Sequence, residues 1–172
     1  MNNEIKQQRK MSKVMIISMW LILIGMLAMF FNNILQKDNN PNQQVNYSET
    51  ASGQREVVLQ RNKYGHYVAT GKVNNQPVTF FLDTGATDIS IPEHIANRIG
   101  LKKGQPVIYN TANGPAKNYL TTLESVSLGN IRLHNLRASI NPNVQSDEIL
   151  LGMSFLKHLE FSQKGKILTI RQ

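Results

Sequence analysis

Residues 14–31, VMIISMWLILIGMLAMFF, run for 18 positions without a charge. As a helix rising 1.5 Å per residue the run spans about 27 Å, close to the hydrocarbon thickness of a bilayer. The next stretch, 36–54, is rich in Asn, Gln and Ser and poor in apolar residues. Such a composition buries too little surface to offset the entropy of ordering, which predicts a flexible tether. Beyond Arg55 the pattern changes to short alternating runs. Residues 67–73 and 78–82 flank the turn Asn74-Asn75-Gln76-Pro77, a predicted hairpin. Ser90-Ile91-Pro92-Glu93 has the form of a capping box, predicting a helix to about Ile99 that stops at Gly100. Residues 107–109 and 119–123 flank a polar stretch whose Asn113-Gly114 step marks a hairpin tip. Residues 124–128 turn at Gly129-Asn130 into 131–133, and 136–140 and 149–151 are further strands. A short helix over 153–158 and two runs around a turn at Lys164-Gly165 complete a mostly β domain.

Four organisational segments follow: a basic N-terminus (1–13), an apolar anchor (14–35), a polar linker (36–54) and a β domain (55–172). Lys6, Arg9, Lys10 and Lys13 precede the apolar run, and only Lys37 lies just beyond it. The positive-inside rule then leaves the N-terminus cytoplasmic and the β domain extracytoplasmic, periplasmic if the anchor sits in a bacterial inner membrane. A cleaved signal peptide is the rival, but its apolar core usually runs about 7–15 residues and ends at a small-x-small site. This run is longer and ends in Met-Phe-Phe-Asn-Asn. An uncleaved, single-pass signal anchor is the expectation.

Charge and composition narrow the chemistry. The formal charge is +8 with a pI near 9.8, yet the basic residues form no stripe interleaved with aromatics, so nucleic acid is not an expected partner. The chain has no cysteine, which removes disulfides, thiolate catalysis and lipid attachment at sulfur. His66, His94, His134 and His158 are scattered, with no pair at ligand spacing, so neither a metal nor a cofactor is expected.

One motif carries chemistry. In Phe80-Phe81-Leu82-Asp83-Thr84-Gly85-Ala86-Thr87 an apolar strand delivers a carboxylate into a glycine-containing turn. Two such carboxylates within a few ångströms share one proton, because like charges that close resist joint ionisation. The ionised member can act as general base on a water while the protonated one polarises a carbonyl and later protonates the leaving nitrogen. Thr84 suits a hydroxyl contact across the pair, and Gly85 allows close approach of a substrate backbone. The motif occurs once, so either a second aspartate comes from another molecule or the chain does not use this chemistry at all. Alone, any β-turn can carry Asp-Thr-Gly. Asp88 reads as a turn residue that caps or contacts backbone, Asp147 and Glu148 as a solvated turn, and Gly152 as a packing position.

The run from Leu82 to Thr87, then Ser90-Ile91-Pro92, resembles the active-site loop of retropepsin-like aspartic proteases. Ile149-Leu150-Leu151-Gly152-Met153-Ser154-Phe155-Leu156 resembles that family's apolar-plus-glycine element, in which a strand threads behind the catalytic loop and a helix follows. Together with Thr111-Ala112-Asn113-Gly114, it is similar to a membrane-anchored bacterial branch of the same clan. The resemblance implies a closed β-barrel of the acid protease type with one or two short helices after the transmembrane helix. It also implies an obligate homodimer, with Asp83 from each subunit as catalytic residue and Thr84, Gly85 and Ala86 supporting it. By position the substrate flap runs from 109 to 119, with Asn110, Thr111, Ala112, Asn113 and Gly114 at its tip, and Leu151 and Gly152 lie beside the site. Two departures stand out: Thr87 replaces an acid that retroviral enzymes use on substrate backbone, and Pro115 sits beside the flap tip. The expected activity is hydrolysis of peptide bonds in membrane-proximal substrates. The alternatives are a non-catalytic dimeric module that binds extended peptides, and an adaptor that recruits partners.

Overall fold

The structure, a computed structural model, describes residues 2–111 and 114–172. It divides into two units, Met1–Asp38 and Asn39–Gln172. The first is one helix, α1 (Asn2–Asn39), whose segment Lys13–Asn39 is long and apolar enough to cross a membrane. Trp20, Leu21, Phe30 and Leu35 are all exposed, so the apolar surface is not confined to one face. Ser18 Oγ donates to Val14 O at 2.9 Å, which satisfies the hydroxyl within its own helix.

The second unit is built on eleven strands and two short helices: β1 (Asn46–Glu49), β2 (Arg55–Gln60), β3 (Val68–Val73), β4 (Gln76–Leu82), β5 (Ile89–Pro92), α2 (Glu93–Arg98), β6 (Pro106–Thr111), β7 (Gly114–Leu128), β8 (Ile131–Asn141), β9 (Glu148–Leu151), α3 (Met153–Leu156), β10 (Glu160–Lys164) and β11 (Ile167–Arg171). One sheet has the order β1-β2-β11-β10. The other runs β3-β4-β9-β5-β8-β7-β6, and an extra β3–β7 pairing (Lys72↔Ser127, Val73↔Val126) closes it into a barrel-like circuit. Strand β6 lies outside that circuit, paired to β7 alone. The mostly β domain expected from the alternating runs and the closed barrel implied by the resemblance are both observed.

Alternation explains the core. Phe80, Ile89, Ile91, Leu123, Leu128, Ile131, Ile140, Ile149 and Leu151 are fully buried from strands on different sides of the circuit, with Ile95 of α2 and Phe155 of α3 among them. Burying side chains of this size contributes about 1.5–3 kcal/mol each. Asn74 and Asn75, both at positive φ, form the two-residue β3–β4 turn, as a right-twisted hairpin requires.

Three expectations change. The stretch 36–54 is not a tether along its whole length, because the compact unit begins at Asn39 rather than Arg55. Asn42 is buried, and its amide donates to Val68 O at 2.7 Å and Gln60 O at 2.9 Å while accepting from Gln60 N at 2.7 Å. Asn40 donates to Thr70 Oγ1 at 3.1 Å, and β1 pairs along β2. These amides replace ladder hydrogen bonds, so a polar composition here marks side-chain pairing with main chain. The capping box does not form either. Ser90 and Pro92 belong to β5, Pro92 is the N-cap of α2, and no side chain caps that helix. Pairing of Ser90 with Ser139 and Leu150 outweighs the local capping preference. Finally, 119–128 is one continuous strand with the flap arm, and 131–141 is one strand rather than two.

Candidate active site

Strand β4 ends at Leu82, whose N–H donates to Tyr67 O at 3.0 Å, and Asp83 follows with its N–H on Leu151 O at 3.3 Å. The chain then turns: Gly85 N–H donates to Asp83 Oδ1 at 2.8 Å and Ala86 N–H to Asp83 O at 3.3 Å. A Cβ at position 85 would sit 3.2 Å from Asp83 Oδ1, crowding the carboxylate. Thr84, Gly85 and Thr87 are exposed, whereas Asp83 and Ala86 are half-buried.

The loop is held from behind. Strand β9 runs parallel to β4 (Leu82↔Leu151) and touches β5 at Ser90↔Leu150, so it lies between the strands that enter and leave the loop. Gly152 then passes directly under the loop. A Cβ there would fall 2.6 Å from Ala86 O and closer still to Asp88 O, which only glycine avoids. The start of α3 completes the clamp: Met153 N–H donates to Ala86 O at 2.8 Å, Ser154 N–H to Thr87 O at 2.9 Å, and Ile89 N–H to Ser154 Oγ at 3.0 Å. Ser154 was visible in sequence only as part of a motif; its role as a clamp depends on the register of β9.

An open groove of about 370 Å³ lies in front of the loop. Asp83, Gly85, Ala86, Thr87 and Asp88 form its floor, and Tyr109 and Asn110 of β6 line it from the other side, with Asn118, Ser139 and Asn141 at one end. Asn110 therefore lines the groove. Thr111 and Gly114 pair with each other at the end of the β6–β7 hairpin, and Gly114 has φ +99. Ala112 and Asn113 lie outside the described residues. Leu151 is buried beneath the loop.

Asp88 behaves differently from the turn residue expected. It is 9% exposed, and its Oδ2 accepts from the Tyr109 hydroxyl and from Arg137 Nε at 3.1 Å, so its contacts are to side chains. Burial, reinforced by the Asp88 carboxylate, pushes the Tyr109 phenol above its ordinary range. The hydrogen bond with Tyr109 and the Asp88 charge hold Arg137 still more firmly protonated. Neither Tyr109 nor Arg137 stood out in sequence, since each is one polar residue on an alternating strand. Asp147 is a solvated turn residue that meets His94 Nε2 at 3.0 Å, whereas Glu148 opens β9 and accepts from Asn39 Nδ2 at 2.8 Å.

Residues 69–158, more than half of the chain, match the family model described as "gag-polyprotein putative aspartyl protease". The chain belongs to the retropepsin-like aspartyl protease family. The match to the family spans the Asp83 loop, the β6–β7 hairpin and the Leu151-Gly152 element. A crystal structure of a retropepsin-like aspartic protease from Rickettsia conorii is 31% identical, with a TM-score of 0.59 over 73% of this chain and 95% of that one. An uncharacterised protein from Sinorhizobium sp. is 37% identical over 116 residues, and one from Rickettsia prowazekii (strain Madrid E) is 32% identical over 118. The retropepsin-like chain covers half the length of each of these two relatives, and they cover 66% and 67% of it.

Proposed function

We propose that the chain is a membrane-anchored aspartic endopeptidase, active as a homodimer in which Asp83 of each subunit supplies one half of the dyad. The observation that carries this reading is Asp83 itself, a half-buried carboxylate on a loop clamped from behind and lining an open groove of about 370 Å³. One carboxylate is half of the machinery; two related by a twofold axis share a proton. The ionised member takes a proton from the attacking water, while the protonated one polarises the carbonyl oxygen through a hydrogen bond and then gives up its proton to the leaving nitrogen. Thr84, next to Asp83 on the exposed turn, bonds across the pair, and Gly85 lets the peptide backbone approach. The 109–119 hairpin closes over the substrate.

Helix α1 serves as the anchor, with the N-terminus cytoplasmic and the β domain on the extracytoplasmic side, following the basic residues before the apolar run. Confinement to one membrane raises the effective concentration of the two halves and favours membrane-proximal substrates. Replacing Asp83 with Asn tests the chemistry: peptide cleavage should fall at least about a thousandfold, since a homodimer of the variant loses both carboxylates of the dyad, with the melting temperature unchanged. Undiminished cleavage by that variant rules the mechanism out. A second reading, a dimeric module that binds extended peptides without cutting them, draws on Thr87, which lines the groove without a charge. Tight peptide binding by wild type without turnover at acidic or neutral pH would favour it.

A further inference from the structure

The β6–β7 hairpin is attached to the barrel at one end. Strand β7 joins β8 from Tyr119 onward, whereas, among the described residues, 114–118 pair only with β6 and β6 has no other strand neighbour. Residues 106–111 and 114–118 therefore leave the closed circuit as two paired arms, a ribbon arrangement that in water is marginal without further contacts. At its base Leu120 N–H donates to Gln105 O at 2.9 Å, Gly104 N–H donates to Leu120 O at 2.8 Å, and Asn118 Nδ2 donates to Ser139 Oγ at 3.1 Å. Further out along the ribbon, the Tyr109 hydroxyl donates to Asp88 Oδ2 across the groove. Ile108, next along the strand and on the opposite face, is 71% exposed.

The acceptor in this bond is well fixed. Asp88 directly precedes β5, and Arg137 directly precedes the Ala138 that pairs with Ile89. Arg137 Nε holds the same carboxylate oxygen that Tyr109 uses, which fixes its position toward the ribbon. The groove of about 370 Å³ is present while the bond is made, and Tyr109 and Asp88 both line it.

We propose that Asp88, Arg137 and Tyr109 form a flap latch, in which Tyr109 is a positioning residue that sets the height of the β6–β7 ribbon above Asp83. The latch orders the roof before an extended peptide arrives, so binding does not have to supply that ordering. Tyr109 touches no reacting atom in this account, and its effect falls on substrate affinity. The kinetic arm of the test rests on the protease reading; the exchange arm does not.

The test uses the full chain in detergent micelles, comparing wild type with Tyr109→Phe and Asp88→Asn by hydrogen exchange and by cleavage of an extended fluorogenic peptide. Exchange over 106–111 and 114–118 should accelerate about tenfold in Tyr109→Phe, the size expected for a lost hydrogen bond to a charged group, with β9 and α3 unchanged. KM should rise about tenfold with kcat within about twofold in Tyr109→Phe, and the double variant should be no worse than Asp88→Asn, because Asp88→Asn already weakens the Tyr109 bond together with the Arg137 pair. Unchanged ribbon exchange in Tyr109→Phe overturns the latch, as does a KM that falls. Faster ribbon exchange in a protein whose wild type cleaves no peptide supports the latch and counts against the protease reading instead.

Discussion

The two sides of the groove are built in opposite ways. Its floor, from Asp83 to Asp88, is gripped by β9, by Gly152 in backbone contact, and by three hydrogen bonds that involve Met153 and Ser154 of α3. Its roof, the β6–β7 ribbon, is fastened at one end and, further out, by the Tyr109 side chain bonded to Asp88. The contrast teaches that the fold spends its packing on fixing the carboxylate and leaves the covering strand with few contacts. In the proposed homodimer the carboxylate has to meet its twin within a few ångströms, which tolerates little play, whereas the roof has to let a peptide in.

The largest expected effect comes from breaking the floor. Gly152→Val places a side chain against the backbone of Ala86 and Asp88, and stability should drop by about 3 kcal/mol with activity lost. A denaturation midpoint within error of wild type would show that the loop is not held this way. Next is the edge of the domain. Asn42→Ala leaves Val68 O, Gln60 O and Gln60 N without their side-chain partner and should cost about 2 kcal/mol. Hydrogen exchange over 39–49 should rise in that variant, and unaltered exchange would return the segment to the status of a tether. At the roof, Asn118→Ala removes the bond to Ser139 and should cost about 1 kcal/mol, with the change in exchange confined to the ribbon.

The smallest effect is a pH dependence. The folded pKa of Tyr109 lies above its ordinary value of 10.0, so the unfolded chain gives up this proton first. The stabilisation is therefore fully present below about pH 10 and is lost as pH rises through the raised value. A phenolate absorbance titration of wild type minus Tyr109→Phe should show one late transition. A transition at or below the value of free tyrosine would deny the contact with Asp88.

Much of the floor was legible in sequence because its determinants are local or carry a distinctive pattern. An apolar strand ending at Leu82 and a second ending at Leu151-Gly152 name two neighbours without reference to the rest of the fold. The roof was legible as a hairpin but not in its fastening, since Tyr109 and Arg137 become partners of Asp88 only when three strands are in register. Local rules misled at Ser90, where a cap signal was overridden by ladder pairing, and at Asn40 and Asn42. There, asparagine amides stand in for main-chain partners, and composition alone cannot distinguish an asparagine that pairs with backbone from one in solvent.

The central claim is that one active site needs Asp83 from two copies of the chain, and mixing tests it most directly. Wild type and Asp83→Asn are combined in equal amounts, unfolded and refolded together into the same vesicles, and peptide cleavage is measured per total protein. If each site requires two intact aspartates from a twofold dimer, random pairing leaves about a quarter of the all-wild-type activity. If each chain cuts alone, about half remains, and that result would contradict the account.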